Sequence, residues 1–214
     1  MMTTVLFIRH GESVANRRNI FAGHLDVELE ELGFLQAAKT AEFITEKYKV
    51  DAIYSSDLQR AYNTAKALSD RTGIPIIKEK AFREIDGGEW DEKNFDALDS
   101  LFPEEFGVWR RDLKNARCTG GESVKEVAAR VFAAAKKIAA ENEGKTIAIF
   151  SHVTPIRCIE CMARDGSVEK IADHTWVSNA SVSEFLVEDG QWKVIEMSQD
   201  KHLSGMRTAL PDDV

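Results

Sequence analysis

Two histidines stand just beyond apolar runs, each with cationic or hydroxylic company. FIRHGESVAN, from Phe7 to Asn16, ends an apolar stretch in Arg9, His10 and Gly11. KTIAIFSH ends in Ser151 and His152. DAIYSS ends in Ser55 and Ser56, and Arg60 follows closely. FREIDGGEW supplies Arg83, Glu84 and Asp86. Such a set suits phosphoryl transfer. Arginine offers bidentate donors to phosphate oxygens, and a helix N-terminus offers oriented N–H groups. Charge developing on the phosphoryl oxygens is stabilised by such fixed donors. A neutral imidazole can attack phosphorus, and nearby arginines keep it neutral. A carboxylic acid must protonate the departing oxygen, because an alkoxide leaves poorly. Two arginines and a second histidine can bear the charge, so no metal and no other cofactor is expected.

These residues work together only if the chain gathers them. Short apolar runs alternate with helical patterns. TVLFIR, DAIYSS and KTIAIFSH read as strands, and IPIIKEKAF is a further candidate. Gly33, Ala37, Ala41, Ile44 and Tyr48 fall at helical spacing, as do Ala61, Thr64, Ala65 and Leu68, with Gly73 as a stop. Val124, Val127, Val131, Ala134 and Ile138 form another helical stripe, behind a Ser123/Glu126 capping box. Thr154 and Pro155 read as an N-cap and a first-turn proline. The tail ASVSEFLVEDGQWKVIEM reads as two strands around an Asp189-Gly190 turn. Residues 87–118 read as an irregular, aromatic-rich excursion with short helices, carrying Trp90, Phe95, Phe102, Phe106 and Trp109.

Alternating strands and helices predict an α/β three-layer sandwich, with a mostly parallel central sheet and helices on both faces. Ligands of such sheets bind beyond the strands' carboxyl ends. The chemistry-bearing residues are predicted there. The expected organisation is one domain over 1–214, with a lid-like excursion at about 87–118.

Composition narrows the partners. The 214 residues carry a formal net charge of -8, with 43% hydrophobic and 30% charged residues. An acidic chain repels nucleic acid, so no nucleic-acid partner is expected. No segment approaches the ~20 apolar residues of a membrane span, and the N-terminus lacks the basic region of a signal peptide. Three cysteines, Cys118, Cys158 and Cys161, do not make a disulfide framework, and a cytoplasmic location is expected. Cys158 and Cys161, a lone C-x-x-C inside a helical pattern, read as core residues. Oligomeric state is not legible.

The motifs, in order, resemble the histidine phosphatase superfamily, the phosphoglycerate mutase-like family. RHGES with Asn16 resembles its signature, AGHLDVELEELG the following segment, YSSDLQRAYNTA its second arginine motif and FREIDGGEW its acid motif. GGES ahead of a helix, SHVTPIR, Asn179 and KHL at 201–203 continue the pattern. The resemblance covers most of the chain. It implies that His10 forms a phosphohistidine, that Arg9, Arg60 and His152 bind the phosphoryl group with Asn16 assisting, and that Glu84 is general acid and then base. Gly23 and His24 stand where family loops approach substrate. Asp86 is the near rival of Glu84, which the motif favours. His174 reads as a loop residue and His202 as structural.

Two departures bear on substrate choice. Asp91-Glu92 follows Trp90 where the family often has Glu-Gly, and Val153-Thr154 stands where many members have glycines. Mutases follow the acid glutamate with Arg-His-Tyr, whereas Ile85 and Asp86 follow here. The expected function is therefore hydrolysis of a small phosphorylated metabolite. Two alternatives stay open: a 2,3-bisphosphoglycerate-dependent phosphoglycerate mutase, and a non-catalytic binding module of the same fold. The segment with Arg110, Arg111, Lys114 and Arg117 is either a solvated helix face or a basic lid over an acidic substrate.

Overall fold

A computed structural model describes residues 1–174 and 176–208. Among these residues six strands form one sheet: β1 (Thr3–Arg9), β2 (Ala52–Ser55), β3 (Ile76–Lys78), β4 (Thr146–Ser151), β5 (Val182–Glu188) and β6 (Gln191–Gln199). Their order across the sheet is β3-β2-β4-β1-β5-β6. Strands β1 to β4 pair in parallel, while β5 and β6 pair antiparallel at one side. Asp189 and Gly190, both at positive φ (50° and 76°), close the β5–β6 hairpin as the Asp-Gly pair predicts.

β1 shows why the apolar run is continuous. Val5 and Phe7 point into one core with Ile147, Ile149 and Phe185, while Leu6 and Ile8 point into the other with Ala148, Phe150 and Ile53. Both faces are covered there, so the stretch Val5–Ile8 is apolar on both sides. Burying one such side chain contributes about 1.5–3 kcal/mol.

Among the described residues seven helices surround the sheet: α1 (Val14–Arg17), α2 (Glu31–Lys47), α3 (Gln59–Thr72), α4 (Leu98–Leu101), α5 (Pro103–Arg111), α6 (Val124–Glu141) and α7 (Val153–Asp165). Ala41, Ile44, Ala65 and Leu68 bring α2 and α3 onto one face; Val127, Val131, Ile156 and Ile159 bring α6 and α7 onto the other. Gly73 ends α3 in the left-handed conformation at φ 73°, and the Ser123/Glu126 capping box opens α6.

Three local expectations change. The third strand is only Ile76–Lys78, because residues 80–82 tighten into a 3-10 turn whose Ala81 amide is capped by Glu79. The N-cap of α7 is His152, not Thr154; Pro155 does lie in the first turn. On α6, Ala135 is the fully buried residue and Ala134 packs at its margin. The excursion is irregular, as expected, but its aromatics belong to the core. Trp90 and Phe106 are fully buried, and Phe21, Trp90, Phe95 and Trp109 pack ring against ring. Cys118, Cys158 and Cys161 are free and buried, and burial raises each thiol pKa. Among the described residues no helix is long and apolar enough to cross a membrane.

Candidate active site

Strand register decides which side chains meet. Arg9 pairs with Ser151 across β1 and β4, and the His10 amide donates to the Ser151 carbonyl at 3.0 Å. Ser55 pairs with Phe150 across β2 and β4, and the Ser56 amide donates to the Phe150 carbonyl at 2.9 Å. The first residues beyond three neighbouring parallel strands are thus Ser56, His152 and His10. The two imidazole centroids lie 5.1 Å apart.

His10 Nδ1 lies 2.7 Å from the Gly11 carbonyl oxygen. A carbonyl only accepts, so Nδ1 carries the proton and Nε2 presents its lone pair. Burial, reinforced by Arg60 and Arg9, holds the His10 pKa well below the ordinary imidazole value. Burial and the same arginines do so for His152, whose Nε2 is 2.9 Å from Ser56 Oγ. Both rings are neutral at pH 7. Among the described residues, His152 Nδ1 is buried without a hydrogen-bond partner.

The two guanidinium groups are held by backbone carbonyls. Arg9 Nη1 donates to Val177 at 2.6 Å, with its Nε buried and without a hydrogen-bond partner among the described residues; its guanidinium carbon lies 5.5 Å from the centre of the Trp176 ring. Arg60 donates from Nη1 to Leu25 and from Nη2 to Gly23, both at 2.8 Å. Burial lowers each to about 10, so both remain charged at neutral pH. Neutral carbonyl partners orient the charge without cancelling it, which suits a dianion arriving from solvent.

Glu84 faces the same region. Its Oε1 accepts from the Ile85 amide at 2.8 Å and its Oε2 from the Thr154 amide, in the first turn of α7, at 3.4 Å. Asp86 is half exposed, with Oδ1 accepting from the Gly88 amide at 3.0 Å and Oδ2 3.9 Å from His24 Nδ1. The buried position therefore belongs to Glu84 rather than to its rival.

The remaining predicted residues serve as supports. Asn16 Oδ1 accepts from the Ser13 amide, the Ser13 hydroxyl and Asn179 Nδ2. Asn179 Nδ2 also reaches the His10 and Gly11 carbonyls, so one amide pins the whole signature turn. Gly23 contributes its carbonyl to Arg60. His24 Nε2 donates to the Glu84 carbonyl at 3.0 Å, tying its loop to the acid segment. In the suspected lid, Arg110 pairs with Asp99 at 3.0 Å, Lys114 with Glu169 at 2.8 Å and Arg117 with Glu126 at 2.6 Å. His174 pairs with Asp165 at 2.8 Å, and His202 stacks on Phe43.

Other residues of the site escaped the sequence reading. Thr64 accepts the Gly11 amide, Gln36 accepts the Glu12 amide, and Arg130 grips the backbone of the acid segment. Their signal was weak, since each sits inside a helix whose pattern speaks only of packing. A long cation beside the buried Val127 and Val131 was the one available hint.

An imidazole with a bare nitrogen, two uncancelled guanidinium groups, a second neutral imidazole and a carboxyl form a site for a phosphate ester. Comparison with known proteins points the same way. Residues 5–200 match the model of the histidine phosphatase superfamily (branch 1). Phosphoserine phosphatase 1 of Hydrogenobacter thermophilus is 29% identical over 202 residues, covering 94% of this chain and 95% of that protein. A metal-independent phosphoserine phosphatase of Arabidopsis thaliana is 28% identical over 215 residues, covering 96% and 85%. The solved mycobacterial glucosyl-3-phosphoglycerate phosphatase complexed with VO3 has a TM-score of 0.83 and 30% identity, over 92% of this chain and 98% of that one. Strand-end chemistry, layer order and family match agree, and the chain belongs to the histidine phosphatase superfamily, branch 1.

Proposed function

We propose that this protein is a metal-independent phosphomonoester hydrolase, acting on a small phosphorylated metabolite through a phosphohistidine at His10. The observation that carries the reading is the tautomer of His10: its Nε2 lone pair is presented beside two buried arginines. The three relatives named above are phosphatases of phosphoserine or glucosyl-3-phosphoglycerate, which supports a small phosphate ester as substrate.

In the first step His10 Nε2 attacks phosphorus and the P–O bond to the leaving group breaks. Glu84 gives its proton to the departing oxygen. Arg9, Arg60 and His152 hold the phosphoryl oxygens, with Asn16 at the rim. The Nδ1–H bond to Gly11 lets the ring carry positive charge while the N–P bond exists. In the second step water attacks phosphorus from the vacated side, Glu84 takes its proton, and the N–P bond breaks to release inorganic phosphate. A mutase would instead return the phosphoryl group to a second hydroxyl. The ion-paired state of Arg110, Lys114 and Arg117 and the absence of Arg-His-Tyr after Glu84 favour water.

Rapid mixing with a 32P-labelled ester, quenched into alkaline denaturant to preserve the N–P bond, should leave label on the peptide containing His10. His10→Ala should abolish both label and turnover while keeping a native circular dichroism spectrum. Label on a serine or an aspartate would sink the mechanism.

A further inference from the structure

The segment carrying Glu84 has little structure of its own. After the 3-10 turn Lys80–Phe82 it runs without a strand partner to the short turn Gly88–Trp90. Its carbonyls still need donors, and an acid that delivers a proton along one direction needs a fixed backbone.

One side chain supplies three of those donors. Arg130 reaches out from α6, largely buried, and donates from Nη1 to the carbonyls of Ala81 at 2.9 Å and Arg83 at 2.8 Å. Nη2 donates to the carbonyl of Glu84 itself at 2.7 Å. Nε and Nη2 form a fork onto Glu122, at 2.8 Å to Oε1 and 2.7 Å to Oε2. All five N–H groups of the guanidinium are used. Glu122 completes the brace on the far side of Glu84: its Oε2 accepts the Asp86 amide at 3.0 Å, and its own amide donates to the Asp86 carbonyl at 3.0 Å. Burial would raise the Glu122 pKa, but the bonds from Arg130 and the Asp86 amide outweigh it and keep the carboxylate ionised. The residues flanking the acid on both sides are thus bound to one charge pair at the N-terminal end of α6.

We propose that Arg130, held by Glu122, is a positioning residue for proton transfer by Glu84. It touches neither phosphate nor leaving group; it aims the acid. The proposal rests on the reading of Glu84 as general acid. Lysine cannot replace arginine here, having three donors and no planar fork.

The test is a leaving-group comparison in kcat/KM, which reports only steps up to the phosphohistidine. Arg130→Lys should lower kcat/KM on an alkyl phosphate by about 10- to 100-fold, part of the 10²–10⁴ that general acid catalysis supplies. On p-nitrophenyl phosphate, whose phenolate leaves unaided, the loss should stay within about threefold. Inhibition by inorganic phosphate should not change, since no phosphate ligand is disturbed. Glu122→Gln keeps the shape but removes the charge, and should give the same split more weakly. Equal losses on both substrates, or none on either, would overturn the proposal and leave Arg130 a structural brace. Glu84→Gln is measured in parallel. If it shows the split and Arg130→Lys does not, the positioning role alone fails. If Glu84→Gln shows no split, the acid assignment itself fails and the positioning role with it.

Discussion

A histidine nucleophile must be neutral, and the surroundings of His10 enforce that in two ways. Burial removes the water that would solvate an imidazolium, and Arg60 and Arg9 repel it. His152 is held neutral likewise, and His202 chiefly by burial. The sign of the consequence for stability is definite. Unfolded histidines take up protons near pH 6.5, while these three do so only at lower pH in the folded chain. The unfolded state therefore binds more protons below about pH 6.5, and folding stability falls as pH falls from 7 towards 5. Asp91 acts in the opposite sense, because burial raises its pKa to about 6 and folding gains a proton there. The histidines outnumber it, so the urea midpoint should be lower at pH 5 than at pH 7. Each histidine contributes a slope of up to about 1.4 kcal/mol per pH unit. His202→Asn, away from the proposed nucleophile, should shallow the dependence; a midpoint that does not move between the two pH values would refute the neutral-histidine account.

At the scale of elements, the signature turn is positioned by close approach to α2. Gly11 follows the strand end, and a Cβ there would strike the Gly33 carbonyl, while a Cβ on Gly33 would strike the Glu12 carbonyl. Gln36, one turn along α2, takes the Glu12 amide at 2.7 Å, so the turn lies against the helix with no room for a methyl group. Neither glycine is there for a left-handed φ; the requirement is space. Gly33→Ala would be favourable by helix propensity, by about 1 kcal/mol. Here overpacking against backbone should outweigh that gain, for a net loss of about 1–3 kcal/mol in chemical denaturation. The displaced turn should also cost phosphatase activity, since it carries His10. A variant as stable and active as the parent would show that the contact yields easily.

For the molecule as a whole, the net charge of -8 and the cationic site are opposed features. The positive charge that would attract a phosphate is confined to two guanidinium groups, Arg9 and Arg60, exposed by only 5% and 2%. Several other cations are ion-paired, including Arg83 with Asp57 at 2.6 Å. The expected assay pattern is release of inorganic phosphate from small monoesters, unaffected by a chelator. With 3-phosphoglycerate and 2,3-bisphosphoglycerate, little isomerisation is expected. Fast isomerisation with little free phosphate would favour the mutase, and activity lost to the chelator and restored by a divalent ion would refute metal independence.

The sequence by itself determined most of the elements and which residues are candidates for the chemistry. Period-two and period-3.6 patterns reflect which faces are buried, and burial on both faces of a parallel strand leaves an unbroken apolar run such as Val5–Ile8 that can only end in polar residues. His10 and His152 were legible for that reason, and the capping box of α6 because its partners are three residues apart. What tertiary structure decided depends on contacts between distant segments. The tautomer of His10 needed its geometry to Gly11, and its neutrality needed the depth of burial. The burial of Glu84 and the half exposure of Asp86 needed the course of an irregular segment. The role of Arg130 needed three carbonyls from residues nearly fifty positions away. A local pattern cannot encode those, because a guanidinium that braces a backbone and one that lies in solvent follow the same helical spacing.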